Sequence, residues 1–249
     1  YRPHAAFAHL TGWGSKTVAD SVLVIDTRES TKEILFLRPT AGKDSDEFFA
    51  NPAIGEFWVG ARPTLEEVSK LLDLDTRDLA ELDSYLGDEP TIDLESADLA
   101  QFVSEMRLIK DSYEIEQMRL AVAASIAGFE DVVRILPESV GRAKGERLIE
   151  TTFFKRARLE GNDIGYETIA AAGKHACILH WIVNDGQVNS TDLVLLDAGV
   201  EVDSLYTADI TRSLPVSGKY SEAQREIYLA VLEAADAAFS IAKPGVLFR

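Results

Sequence analysis

The chain of 249 residues contains a single cysteine, Cys177. One thiol excludes an internal disulfide bond, and a chain of this kind suits a reducing compartment, so we expect the protein to be cytoplasmic. Cys177 lies in the apolar run of residues 176–179 (ACIL). This context predicts a small buried core residue rather than a reactive nucleophile.

Basic residues are also scarce, since 25 lysines and arginines face 42 acidic residues and leave a formal charge of −17. Phosphate backbones and anionic lipid surfaces repel such a chain, so we expect neither nucleic acid nor a membrane among its partners. No segment approaches the roughly 20 consecutive apolar residues that a membrane-spanning helix needs. A metal site built from carboxylates is compatible with this acidity, which is far more often a feature of solubility.

The first part of the chain has the pattern of a small α/β domain, over residues 1–103. Two runs rich in β-branched and aromatic residues, 18–26 and 33–38, flank a short polar segment and predict a hairpin. A capping box that begins at Thr64 predicts a helix through Leu72. A second short helix is predicted over residues 76–86.

The pattern changes near residue 104, where we predict an α+β domain over residues 104–249. A helix start at residues 111–114 precedes an apolar stripe at helical spacing, which predicts a core-facing helix ended by Pro137 and Gly141. The stripe consists of Ile115, Met118, Val122, Ile126, Phe129 and Val133. The further predicted elements are a helix over 145–159, a strand over 193–197, its partner over 205–214 and a helix capped by Ser221.

Two aspartates in the predicted strand pair have the pattern of metal ligands. Asp197 closes the apolar strand, and Asp209 lies twelve positions later in its partner, so a hairpin brings both carboxylates together. Burying two like charges is unfavourable unless a cation or several hydrogen bonds compensate them, and a divalent metal ion is the usual remedy. In the alternative, each aspartate caps a turn or pairs with an arginine such as Arg212.

The motif D-A-G at 197–199, followed by Y-x-x-D-I-T-R at 206–212, resembles the signature of the pita-bread metallopeptidase family. This family includes aminopeptidase P, prolidase, creatinase and methionine aminopeptidase. Residues 106–110 (MRLIK) resemble the linker that opens the catalytic domain, and residues 57–62 (FWVGAR) resemble the creatinase-like N-terminal domain. The resemblance implies an incomplete creatinase-like domain followed by the first half of a pita-bread catalytic domain.

By this resemblance, the protein is a metal-dependent Xaa-Pro aminopeptidase, which releases the N-terminal residue from peptides with proline in second position. Asp197 and Asp209 would ligate two divalent ions, typically Mn(II), with Asp209 bridging them and a water between the metals as nucleophile. His180, in the segment CILHW, would line the substrate pocket and hydrogen-bond the peptide. Trp58 matches a tryptophan that reaches a neighbouring active site in related tetramers, which implies a homo-oligomer, either a dimer or a tetramer. In the alternative, His180 and Trp58 are ordinary residues of the hydrophobic core with no role in substrate binding.

The sequence departs from the family pattern in two respects. The family places its paired aspartates eleven positions apart, and one extra residue in the turn at 201–204 accounts for the spacing here. The family also completes its metal site with one histidine and two glutamates from the later half of the domain, and no such segments follow Asp209. We therefore expect this chain alone to be inactive, as a fragment of a longer enzyme that was either cut by a protease at Arg249 or cloned only up to that residue.

Two other functions remain open on the same fold. A prolidase-type Xaa-Pro dipeptidase would use the same metals but accept only dipeptides. A pita-bread binding module without metals would need no catalytic residues, although the two retained aspartates disfavour it, since such a module gains nothing from burying two like charges.

Overall fold

The structure is a computed structural model that describes residues 1–53 and 55–247. Ile54, Phe248 and Arg249 lie outside the described residues, and so does the chain end that we expected at Arg249. The helices are α1 Ala5–Thr11, α2 Asp46–Ala50, α3 Glu56–Val59, α4 Leu65–Leu72, α5 Leu82–Leu86, α6 Ala97–Met106, α7 Ser112–Ser139, α8 Gly145–Glu160 and α9 Glu222–Ile241. The strands are β1 Val22–Asp26, β2 Lys32–Leu37, β3 Asp75–Asp78, β4 Asp163–Ile164, β5 Ile169–Ala172, β6 Leu193–Ala198, β7 Val200–Glu201 and β8 Ile210–Pro215.

The chain forms two compact units. The first unit comprises Tyr1–Ala121 with Glu201–Thr207, and the second comprises Val122–Val200 with the residues from Ala208 onward. The domain boundary expected between residues 103 and 104 stays a prediction.

A three-stranded sheet of order β1-β2-β3 organises the first unit. The predicted hairpin is confirmed, because β1 and β2 pair antiparallel with Val22 opposite Phe36. The predicted helix over 76–86 is wrong at its start, since residues 75–78 form β3 and pair parallel with β2. Pairing with a buried neighbouring strand overrides the local helix preference there.

The first unit has its own hydrophobic core beneath this sheet. Its buried members are Trp13, Val18, Leu35, Leu37 and Val68. Val68 comes from α4, whose predicted capping box is confirmed: the Thr64 hydroxyl accepts from the Glu67 amide, and the Glu67 carboxylate accepts from the Thr64 amide. The cap satisfies backbone donors at the helix start and fixes where the chain turns towards the core.

An antiparallel sheet of order β5-β6-β8 organises the second unit. Along β6 the buried residues alternate with partly exposed ones, so one face of the strand packs on the core and the other is more open. The predicted pairing of β6 with residues 205–214 is confirmed for β8, with Asp197 opposite Thr211. Helices α7 and α8 supply the other side of the core, through buried residues such as Val132, Ile149 and Phe153.

The buried face of α7 differs from the predicted apolar stripe. Ile115, Val122, Ile126 and Val133 are exposed. The buried positions include Ala121, Ser125, Val132 and Leu136. Small residues permit this close packing: a Cβ at Gly128 would lie 2.7 Å from the Phe153 ring. Phe129 is the stripe member that packs against this core, so the buried face is rotated from the predicted stripe towards a row that mixes small, polar and apolar residues.

Two further sequence predictions meet the structure differently. The predicted helix after Ser221 is confirmed as α9, which begins with a capping box between Ser221 and Gln224. Cys177 is exposed, so the prediction of a buried core residue is wrong. Its apolar run does not continue a strand but leads into an exposed loop after β5.

Among the residues that the structure describes, none of the helices is long and apolar enough to cross a membrane.

Candidate metal centre

A close crossing of two backbone segments brings the paired aspartates near each other. Gly199, just after β6, lies against Ala208, and a Cβ on Gly199 would overlap the Ala208 carbonyl oxygen. The Ala208 amide also donates to the Val200 carbonyl at 3.1 Å. Because only glycine permits this approach, the motif D-A-G has a direct structural reason. The crossing places Asp197, within β6, beside Asp209, immediately before β8.

One hydroxyl group joins the two aspartates. Tyr166 donates towards Asp197 Oδ1 at 2.6 Å and lies 2.9 Å from Asp209 Oδ1. Burial, together with these two carboxylates, raises the pKa of Tyr166 well above its usual value. Tyr166 therefore remains a neutral donor and holds the aspartate pair, Asp197 and Asp209, around one point.

The burial of the aspartate pair differs from the prediction. Asp197 is partly buried, as predicted, on the more open face of β6. Asp209 is exposed, so the expectation that it is buried within the partner strand is wrong. It precedes the strand, where the chain has just left the close crossing. An open carboxylate pair is accessible to an ion from solvent.

The donor set at this point suits a hard divalent cation in part. Within residues 1–53 and 55–247, Tyr166 is the only side chain that hydrogen-bonds to either aspartate, so lone pairs remain for an ion. Arg212 donates to the Thr211 carbonyl at 2.7 Å rather than pairing with an aspartate. No group of three or more His, Cys, Asp or Glu side chains is arranged for a metal in this part of the chain. The two aspartates supply carboxylate oxygens of the kind that hard divalent cations prefer, but two such groups are fewer than a complete site needs.

His180 lies at the tip of the His180 loop, which we define as residues 173–186 between β5 and β6. The imidazole is exposed, so the alternative of a core histidine is wrong. Leu179 is 83% exposed, and Ile178, Ile182 and Val183 are also exposed. The loop thus presents a histidine among apolar side chains, as a surface for an apolar ligand would.

The base of the His180 loop is held by a residue that the sequence analysis missed. Glu146, in the first turn of α8, is fully buried. Its Oε1 accepts from the Ala172 amide at 2.7 Å and lies 2.9 Å from His175 Nδ1. Its Oε2 accepts from Trp181 Nε1 at 2.9 Å and from the Gly186 amide at 2.7 Å. We call these five residues the Glu146 cluster.

Trp58 belongs to the first unit. It is 56% exposed, so the alternative of a core tryptophan is wrong. Its indole donates to the Phe49 carbonyl at 2.8 Å, and its ring meets Phe57 edge to face with centroids 5.2 Å apart. Trp58 is thus a surface aromatic residue held in a defined orientation.

Of the sequence-predicted site residues, the structure brings Asp197 and Asp209 together. Tyr166, which the sequence analysis missed, lies 31 positions before Asp197 in a bend that no motif marks. Glu146 was missed because acidic residues are common in the first turn of any helix, where they face the positive end of the helix dipole.

Comparisons with known proteins agree with this architecture. Residues 116–249 match metallopeptidase family M24, and residues 1–91 match the aminopeptidase P N-terminal domain. Xaa-Pro aminopeptidase 1 of Streptomyces coelicolor is 41% identical over 271 residues, with 100% of this chain and 54% of that protein aligned. The chain thus spans about half the length of this curated relative.

Solved structures give the same result. Aminopeptidase PepP of Pseudomonas aeruginosa superposes with a TM-score of 0.77 at 26% identity, over 98% of this chain and 60% of that one. Zn-substituted aminopeptidase P of Escherichia coli in complex with product superposes with a TM-score of 0.75 at 25% identity, over 98% and 60%. The predicted α+β fold, a creatinase-like N-terminal domain followed by part of a pita-bread domain, is confirmed. The chain belongs to metallopeptidase family M24.

Proposed function

We propose that the full-length protein, the product of the complete gene, is a metal-dependent Xaa-Pro aminopeptidase. The observation that carries the proposal is the convergence of Asp197 and Asp209 on the Tyr166 hydroxyl. Family membership supports a metallopeptidase, and relatives such as that of Streptomyces coelicolor are named Xaa-Pro aminopeptidases.

In this proposal the aspartate pair supplies carboxylate ligands for a pair of divalent Mn(II) ions, because carboxylate oxygens suit that ion. When bound, the ions supply Lewis acidity and generate a nucleophile from water at neutral pH. The remaining ligands, one histidine and two glutamates in the family pattern, come from the part of the full-length protein beyond this chain. Tyr166 orients Asp197 and Asp209 by hydrogen bonds to one oxygen of each.

His180 is proposed to bind the peptide. Its exposed imidazole can hydrogen-bond a peptide carbonyl or amide, while exposed apolar neighbours such as Leu179 are suited to a proline ring. These contacts hold the scissile bond in place, which lowers the entropic part of the barrier.

Trp58 is proposed to act between subunits. Its exposure and fixed orientation support a role for the ring at a surface contact, as its match to the family's intersubunit tryptophan implies. We accordingly propose a homo-oligomer, either a dimer or a tetramer. A cytoplasmic location is proposed because the chain carries a single exposed thiol and no disulfide.

The test is a cleavage assay on the full-length protein with tripeptides Xaa-Pro-Yaa and dipeptides Xaa-Pro. We expect release of the first residue from the tripeptide, loss of cleavage after chelation and recovery with Mn²⁺. Cleavage of dipeptides alone would favour the prolidase-type alternative. No cleavage together with no metal binding would favour the binding module and overturn the proposal.

A further inference from the structure

The His180 loop lacks regular secondary structure around its tip, yet two buried polar side chains hold its base. Asn184, fully buried with a left-handed backbone (φ 48°), extends the pairing of β5 with its side chain. Its Oδ1 accepts from the Ala170 amide at 3.0 Å, and its Nδ2 donates to the Thr168 carbonyl at 2.8 Å. Glu146 makes the other attachment.

This attachment takes up the full hydrogen-bond acceptor capacity of the Glu146 carboxylate. A carboxylate accepts about four hydrogen bonds, and four donors of the cluster surround it. Two of these donors flank the loop, since Ala172 precedes it and Gly186 ends it, while His175 and Trp181 lie within it. A Cβ at Gly186 would lie 2.6 Å from Glu146 Oε2, so the chain must have glycine there to approach the carboxylate.

The cluster fixes the residue next to His180. The Trp181 indole N–H donates a hydrogen bond to Glu146. The indole also stacks on the His175 ring, with centroids 4.0 Å apart and planes inclined by 27°. With the Trp181 side chain fixed at both its edge and its face, the backbone that follows His180 has little freedom. The Ile182 amide also donates to the His180 carbonyl at 3.0 Å. The backbone that carries His180 is therefore held in place, which fixes the point from which the exposed imidazole projects.

We infer that Glu146 is the positioning residue for His180, because its buried carboxylate locks Trp181 and thereby the backbone of the substrate-binding loop. The inference rests on the proposed function only for the role of His180 in peptide binding. Glu146 itself touches no substrate. Its effect on catalysis passes through His180, and this separates it from a residue that merely stabilises the fold.

The first experiment tests the lock without any assay of activity. The full-length protein is labelled with 5-fluorotryptophan, and Trp181→Phe identifies the Trp181 signal by ¹⁹F NMR. Glu146→Gln keeps the shape but turns an amide NH₂ towards two of the four donors. We expect this variant to shift or broaden the Trp181 signal. Glu160→Gln, the same change at the end of the same helix, serves as control and leaves the signal unchanged. An unchanged Trp181 signal in Glu146→Gln overturns the inference.

The second experiment tests whether Glu146 acts through His180. A double-mutant cycle measures kcat/KM on a tripeptide Xaa-Pro-Yaa for Glu146→Gln, His180→Ala and the double variant. We expect Glu146→Gln alone to lower kcat/KM by about tenfold, mostly through KM, since a misplacement of about 1 Å can cost up to about a hundredfold and this change displaces His180 only indirectly. In the His180→Ala background the further loss stays within about twofold. Equal losses in both backgrounds overturn the positioning role, as does a normal kcat/KM for His180→Ala. If the wild type cleaves no such peptide, the proposed function fails, and the ¹⁹F signal alone then decides whether Glu146 locks the loop.

Discussion

The aspartate pair and Glu146 lie in the same unit, but their carboxylates have opposite surroundings. Glu146 is fully buried and accepts hydrogen bonds from four donors, so all its lone pairs are used. Asp197 and Asp209 face a more open surface and share one hydroxyl donor, Tyr166. The first carboxylate is complete within the described chain, whereas the other two have lone pairs to spare for a cation.

The pKa of Glu146 reflects a balance between burial and hydrogen bonding. Burial raises it, but hydrogen bonds from Ala172, Trp181, His175 and Gly186 outweigh burial, so the pKa lies below its usual value. Saturation with donors thus stabilises a buried charge without a metal. A pair of neighbouring carboxylates with one neutral donor between them has no comparable compensation within the described residues. Donor count therefore distinguishes a structural carboxylate from a candidate ligand.

The largest effect is expected from breaking the aspartate pair. Asp209→Asn in the full-length protein removes a negative ligand, and kcat/KM for a tripeptide Xaa-Pro-Yaa should fall by roughly a thousandfold. Asp236→Asn, the same change on exposed α9, should leave kcat/KM unchanged. In the metal-free protein Asp209→Asn should not lower the melting temperature, because it relieves like-charge repulsion. Near-normal turnover in Asp209→Asn would contradict the proposed ligand role.

Substitution of Glu146 should destabilise the folded protein, whereas Asp209→Asn should not. Glu146→Gln leaves buried donors facing an amide NH₂, and we expect the free energy of unfolding to fall by about 3 kcal/mol at pH 7. Because the folded pKa of Glu146 is lowered, its contribution is present above the unfolded value of 4.5 and is lost as the pH falls through the folded pKa. Urea unfolding of both proteins between pH 7 and pH 3 should show the difference narrowing below about pH 4.5. A constant difference across this range would argue against an ionised Glu146.

The close crossing offers a way to move the aspartates without changing them. Gly199→Ala places a methyl group against the Ala208 carbonyl, so the backbone must shift. We expect a loss of about 2 kcal/mol in the free energy of unfolding and weaker Mn²⁺ binding. Gly218→Ala, at a turn with open space around the glycine, has a positive φ of 75° and controls for general backbone strain. Equal Mn²⁺ affinity in the two variants would show that the crossing at Gly199 does not position the aspartates for metal binding.

Tyr166 should give the smallest effect. Tyr166→Phe removes the hydroxyl shared by Asp197 and Asp209 but keeps the ring, and we expect Mn²⁺ affinity to fall by about tenfold, as for other residues that orient metal ligands. The melting temperature of the metal-free protein should change little, since the exposed Asp209 can be hydrated. Unchanged affinity would show that the aspartates orient themselves without Tyr166.

Local patterns predicted much of the fold. The β1–β2 hairpin, the capping boxes of α4 and α9 and the pairing of β6 with β8 each follow from short sequence signals. The helix predicted over 76–86 was partly wrong, because residues 75–78 pair with β2, a contact that no local preference encodes. The α7 stripe was wrong for Ile115, Val122, Ile126 and Val133, because small residues such as Gly128 bring a neighbouring face of the helix against the core.

The candidate site, like the fold, was predictable from sequence only where neighbouring residues determine it. Asp197 and Asp209 follow from one motif, since the strand pairing and Gly199 act within a short stretch of chain. Tyr166 and Glu146 come from other elements, and their roles depend on how those elements pack. Glu146 contacts Gly186 forty positions away. Burial and donor count at such positions are properties of the folded chain.

Titration of the chelator-treated full-length protein with Mn²⁺ in a calorimeter shows whether Asp197 and Asp209 bind divalent metal. We expect saturable binding near two ions per chain in the wild type. Asp209→Asn should lose at least one of these ions, and the Asp236→Asn isotherm should match the wild type. Identical isotherms for the wild type and Asp209→Asn would contradict the claim.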